Sequence, residues 1–150
     1  MACPYFFPTE RLAESAWPKH PRLPLGDPYG GICRADPMRE RLPATETLRE
    51  CCNVGRASRR CSHFPKKDGG PDAIRYSVAS DAADAIRIFY VAERDHRSID
   101  DGTLEFDMAD GLFRDSPAGE TLEKQARAYV ESYLRRKDEP EEKSRSPHRR

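Results

Sequence analysis

Ala85-Ile86-Arg87-Ile88-Phe89-Tyr90-Val91-Ala92 decides how this chain folds. Ile86, Ile88, Tyr90 and Ala92 fall on one side of an extended backbone and Phe89 and Val91 on the other, the period-two pattern of a strand packed on a core. The same alternation recurs upstream in Ile74, Tyr76 and Val78, and downstream in Leu104, Phe106 and Met108. The spacing predicts three short antiparallel strands. Ser116-Pro117 then opens a helix whose apolar residues Leu122, Ala126, Tyr129, Val130, Tyr133 and Leu134 share one face. Glu120 and Glu123 stand early in it and Arg135, Arg136 and Lys137 late, as the helix dipole favours. The expected class is α+β, with a loop-rich cysteine-containing N-terminal segment on a three-stranded antiparallel sheet and one long C-terminal helix.

Three regions follow from composition: a cysteine-rich segment over 1–68, a β-meander plus helix over 69–137 beginning at the Gly69-Gly70-Pro71 break, and a charged, disordered tail over 138–150. Eight of the thirteen prolines lie in residues 1–44, which therefore read as loops. The exception is a short helix from Thr9, its N-cap, to Trp17, stopped by Pro18. A second helix is expected from about Thr45 to Cys52, ended by Asn53 and Gly55, both tolerant of the left-handed conformation. Leu, Ile, Val and Phe number 24, or 16% of the 150 residues, below the roughly 20% at which a highly charged chain stays unfolded. The 26 basic and 26 acidic residues balance, so the count implies a small core in need of a staple rather than disorder.

The staple is suggested by cysteine. All five, Cys3, Cys33, Cys51, Cys52 and Cys61, lie in the first 61 residues. The N-terminus lacks the basic start and apolar stretch of a secretory signal, and no segment approaches the roughly 18 apolar residues that span a bilayer. The expectation is a cytoplasmic protein without membrane attachment, where clustered thiols serve as metal ligands or redox groups more often than as disulfides. Adjacent helical side chains diverge by about 100°, so only one of Cys51 and Cys52 is expected to be a ligand. Cys52 is preferred because the backbone amides of Asn53-Val54-Gly55 follow it. The pattern is then C-x29-C-x18-C-x8-C, four thiols for a zinc ion or an iron-sulfur cluster. It contains no C-x(2–4)-C knuckle of the structural zinc type, and isolated cysteines in proline- and glycine-rich loops favour a cluster. Arg56, Arg59, Arg60, Lys66 and Lys67, with no acidic residue between 51 and 67, would offset its negative charge or face an anionic partner. The alternative is five reduced, inert thiols used as small apolar filler.

The stretches Cys3-Pro4-Tyr5-Phe6-Phe7-Pro8-Thr9-Glu10, Arg22-Leu23-Pro24-Leu25-Gly26, Gly31-Ile32-Cys33 and Cys52-Asn53-Val54-Gly55 resemble those of an uncharacterised family of small bacterial cysteine-containing proteins. The resemblance continues through Glu93-Arg94-Asp95-His96 and the C-terminal helix. It implies no activity and transfers no catalytic residue.

The remaining candidates are weaker. His63, two residues after Cys61, could replace a cysteine as ligand, but with four thiols already available it reads as a surface histidine in a basic loop. Glu93, Asp95, His96, Asp100 and Asp101 have divalent-ion or acid-base chemistry available to them, yet polar hairpin turns have the same composition. Tyr5, Phe6, Phe7 and Trp17 read as packing around the site rather than a stacking surface for a ligand. Phosphate-loop, dinucleotide, zinc-protease and nucleophile-elbow motifs are missing, and no catalytic residue is assigned. The neutral total and the lack of a recognition motif argue against nucleic acid as a partner. The sequence thus points to a small intracellular protein binding an iron-sulfur cluster or zinc in a structural, redox-sensing or electron-transfer role. A non-enzymatic module for an unknown protein partner is the alternative, and an enzyme with a reactive thiol, best placed at Cys61 beside Arg59 and Arg60, comes third.

Overall fold

The structure, a computed structural model, describes residues 1–13, 17, 23–65, 69–114 and 119–138. Along the chain run β1 (Phe6–Arg11), β2 (Tyr29–Cys33), α1 (Thr45–Thr47) leading into a π turn (Leu48–Cys52), β3 (Ala73–Asp81), β4 (Ala85–Arg94), β5 (Arg97–Asp107), β6 (Phe113–Arg114) and α2 (Glu120–Asp138). The α+β class and the long C-terminal helix are as expected. The three-stranded sheet is corrected to four strands, β3-β4-β5-β6, all antiparallel. The added strand pairs Phe113 with Phe106 and Arg114 with Glu105. Two residues are too few for alternation to reveal; what holds them is the edge-on packing of the Phe113 and Phe106 rings, 5.2 Å apart.

Register lines the apolar residues up on one face. Ile74 lies opposite Ala92, Tyr76 opposite Tyr90, Ile86 opposite Phe106 and Ile88 opposite Leu104, and all eight are buried. Arg75, Ser77 and Arg87, pointing the other way, are exposed. Each of Ile86, Ile88 and Leu104 contributes about 1.5–3 kcal/mol by leaving water. Met108, expected in the third strand, lies just past its end and is partly exposed. Helix α2 covers the apolar face, burying Ala126 and Val130 and stacking Tyr129 on Tyr76 at 6.0 Å. Tyr133 and Lys137 hold the Asp81 carboxylate at 2.6 and 2.7 Å. The Lys137 bond first, then that from Tyr133, keeps this carboxyl below its ordinary pKa. The expected helix start at Ser116-Pro117 and all of the 138–150 tail after Asp138 lie outside the described residues.

Gly102 sits opposite Tyr90, where a Cβ would come within 2.6–2.8 Å of the tyrosine ring and hydroxyl. The ring covers the space that a side chain would fill. Gly102→Ala is expected to destabilise the fold by about 1–3 kcal/mol, seen as a lower urea midpoint with an unchanged slope.

Loops were the expectation for residues 1–44; instead β1 and β2 form a second, two-stranded antiparallel sheet. The helix expected from Thr9 to Trp17 is corrected at its start, since Thr9–Arg11 belong to β1, while residues 14–16 lie outside the described residues. Proline does not prevent this strand because the register shifts between Pro8 and Glu10, leaving Thr9 as the extra residue of a bulge. Gly31 opposite Pro8 completes the fit, as a Cβ there would meet the Phe7 carbonyl oxygen at 2.2 Å. One core joins both sheets: Ala2, Phe6, Leu25, Tyr29 and Cys52 pack with Ile74, Ile86, Ile88 and Val130.

The second expected helix is present but its last turn is π, with the Asn53 N–H bonded to the Leu48 carbonyl at 3.1 Å. Gly55 follows in the left-handed region at φ +69°, whereas Asn53, at φ −83°, stays right-handed. The asparagine's role is different. Fully buried, it accepts from the Tyr29 N–H at 3.0 Å and donates to the carbonyls of Tyr29 and Leu48 at 3.0 and 2.9 Å. It thereby clamps the turn carrying Cys51 and Cys52 to the start of β2.

Candidate metal centre

All five cysteines line a single cavity of about 560 Å³. They reach it from four separate stretches of chain. The Cys3 N–H donates to the Cys52 carbonyl at 3.0 Å, joining the N-terminal loop to the π turn. Cys33 ends β2 opposite Phe6, and its N–H and carbonyl both pair with Arg41, at 2.8 and 3.1 Å. Cys61 follows a tight turn closed by its own N–H to the Ala57 carbonyl at 2.8 Å. Cys51 and Cys52 are buried, while Cys3, Cys33 and Cys61 are partly exposed, and none is in a disulfide.

Helix α2 supplies the remaining support. The Gln125 side chain, fully buried, donates to the carbonyls of Cys3 and Phe6 at 2.7 and 2.6 Å and accepts from the Tyr76 hydroxyl at 2.8 Å. At the helix's other end, the Tyr29 hydroxyl bonds Ser132 at 2.6 Å and the Ala128 carbonyl at 2.9 Å. The buried Asp27 carboxylate meets the Arg135 guanidinium. Gln125, Asn53, Tyr29 and Asp27 carry no signature of a site. The one available signal was position: Gln125 follows Leu122 by three residues and so lies on the apolar face of an otherwise regular amphipathic helix.

The thiols act on one another. Burial, and then the neighbouring Cys33, Cys61 and Cys51, push the Cys3 thiol up to about 12 against the opposing hydrogen bond from the Tyr5 N–H. Burial followed by Cys3, Cys33, Cys61 and Cys51 raises Cys52 still further. Burial also raises Cys51, for which the leading thiol neighbour is Cys61. These are the shifts of sulfurs crowded into low dielectric, where one thiolate opposes the next. They oppose a nucleophilic role for Cys3, Cys51 or Cys52, because a reactive thiol needs its pKa lowered. A soft cation among such sulfurs would reverse the effect and draw off their protons.

One expectation is corrected here. Cys51, expected to be the spare of the pair, lines the same cavity as Cys52, and the two sit on a π turn in place of the regular helix assumed. The amides of Asn53 and Gly55, expected to face a bound sulfur, instead close the turn onto the carbonyls of Leu48 and Cys51. Among the described residues, no three His, Cys, Asp or Glu side chains are set so that they could hold a metal ion as they stand. The cysteines share a cavity without closing on one point.

The other candidates settle into ordinary places. Tyr5 packs edge-on against Phe64 at 5.4 Å in the cavity wall, Phe6 and Trp17 are buried, and Phe7 lies under the Arg34 guanidinium at 3.8 Å. Exposed His63 lies on the cavity rim with its Nδ1 2.8 Å from the Arg41 guanidinium. Asp95 and His96, both at positive φ, form the two-residue turn between β4 and β5, and Glu93 pairs with Arg56 at 3.4 Å. Asp100 and Asp101 are exposed along β5. In the basic stretch Arg59 and Arg60 are exposed, while Lys66 and Lys67 lie outside the described residues. Among the described residues, no helix is long and apolar enough to cross a membrane.

Comparison with protein-family models, curated proteins and solved structures returns no match to this chain. The reading of the site therefore rests on its own chemistry.

Proposed function

We propose that this protein binds an iron-sulfur cluster, with zinc as the alternative occupant, through Cys3, Cys33, Cys52 and Cys61, and serves a structural, redox-sensing or electron-transfer role in the cytoplasm. The observation that carries the reading is the convergence of cysteines from four stretches, up to 58 positions apart, on one cavity. Inert filler thiols have no reason to gather in this way. Cys52 is the better ligand of its pair, because its main chain is bonded to Cys3 and its thiol feels Cys3 and Cys33 most among the other cysteines. The cavity's size favours a cluster, since a single zinc ion would draw all four sulfurs to about 2.3 Å from one centre. We likewise propose membership of the bacterial cysteine-containing family that the N-terminal stretches resemble.

Anaerobic purification followed by iron, zinc and acid-labile sulfide analysis tests this reading. Iron and sulfide in comparable amounts with a visible chromophore are the expected result; zinc alone would identify the alternative occupant, and neither metal would overturn the proposal. One observation favours a second reading, a module for a protein partner. Met38 and Leu42, near or on the cavity rim, are 90% and 86% exposed. That reading predicts a co-purifying protein that stays bound after chelation.

A further inference from the structure

We propose that a separate cavity, at the start of β3, binds a free apolar α-amino acid, its ammonium held by Asp72 and its carboxylate by Arg59. No cysteine takes part, so the site stands apart from the metal reading above.

The cavity measures about 400 Å³ and its wall includes Ser58, Arg59, Phe64, Pro65, Asp72 and Arg94. That volume suits a small molecule. Asp72, only 7% exposed, is pinned through both main-chain groups: its N–H donates to the Glu93 carbonyl at 2.8 Å and its carbonyl accepts from the Arg56 N–H at 2.9 Å. One carboxylate oxygen, Oδ2, accepts from the Asp95 N–H at 3.3 Å. The other, Oδ1, is buried without a hydrogen-bond partner. A buried carboxylate oxygen in that condition costs stability until something donates to it.

Among the described residues, no three His, Cys, Asp or Glu side chains are set to hold a metal ion, so the donor that fits is an organic ammonium. Arg59 supplies the opposite charge. It is exposed and forms no ion pair among the described residues, whereas Arg94 is engaged by the Gly70 carbonyl at 3.1 Å. A guanidinium fork matches the two oxygens of a carboxylate. A buried acceptor with a cation at the rim thus selects a zwitterion, and Phe64 and Pro65 give its side chain an apolar wall. The exposed side chains of Arg59 and Asp95 turn aside to admit the ammonium. Because Phe64 also lines the cysteine cavity, the ligand rests against a wall of that site.

Calorimetric titration of the full chain with L-leucine, L-methionine and L-phenylalanine tests the site. At least one is expected to bind with Kd below about 1 mM. Asp72→Asn should weaken that binding by at least about tenfold, and so should Arg59→Gln, an exposed change that keeps the assay readable if the buried variant folds poorly. The amide of the bound amino acid, which lacks the carboxylate, should bind wild type and Arg59→Gln alike, and its N-acetyl derivative, which lacks the ammonium, should not bind. A Kd above about 1 mM for all three amino acids, unchanged affinity in Arg59→Gln, or equal binding of the N-acetyl derivative would each overturn the assignment.

Discussion

Cys3→Ser, Cys33→Ser, Cys52→Ser and Cys61→Ser are each expected to lower bound metal to about a tenth of wild type or less, whereas Cys51→Ser retains it. The contrast between the neighbours Cys51 and Cys52 is the informative part. They share a turn, both are buried and both border the cavity, but Cys52 also packs in the joint core, so the thermal melts are needed to separate lost packing from lost coordination. Cys52 stands among the other thiols with its carbonyl bonded to Cys3, while Cys51 has Cys61 as its leading thiol neighbour. Inductively coupled plasma analysis of the five variants, with thermal melts alongside, checks the result. Equal metal content across all five would sink the ligand assignment.

Gln125→Leu is expected to cost about 2–4 kcal/mol, although the substitution keeps the side chain's bulk and lies on a helix distant in sequence from every cysteine. Leucine deprives the Phe6 carbonyl of a buried donor and leaves the Cys3 carbonyl with the Phe6 N–H alone. It also removes the acceptor at 2.8 Å from the Tyr76 hydroxyl. Each lost buried partner costs roughly 1–3 kcal/mol, against a total stability of about 5–15 kcal/mol for an ordinary domain. Urea denaturation measures the loss. Gln125→Glu separates polarity from hydrogen bonding: it keeps an acceptor for Tyr76 but turns a carboxylate toward two carbonyl oxygens, and should be at least as damaging.

The sheet and α2 were legible because a packed strand repeats every two residues and a packed helix about every 3.6. Ile86, Ile88, Leu104 and Val130 obey those periods and are buried accordingly. Strand β1 was not legible. Pro8 reads locally as a breaker, and only the bulge beside it and the bare Gly31 backbone opposite make it compatible with pairing. Strand β6 has two residues and no period at all. For the site, the cysteines could be named, but not their partition around the cavity. Whether Cys51 faces in or out depends on the pitch of a single turn, and a π turn differs from an α turn by one hydrogen-bond register. The supporting groups were hidden because glutamine on a helix and asparagine at its end are ordinary surface residues until the tertiary fold buries them.

The reach of Gln125 back to the loop of Cys3 has a consequence for biosynthesis. During translation the thiols emerge first, and the helix that seats them last. At about 5–20 residues per second, the 122 positions between Cys3 and Gln125 mean that the first cysteine waits several seconds or more for its partner. Until then the nascent chain offers five unprotected thiols without the framework that arranges them. On the proposed metal reading, productive loading of the site belongs after synthesis of α2, and a ribosome stalled before Gln125 would present thiols open to stray metals and oxidants.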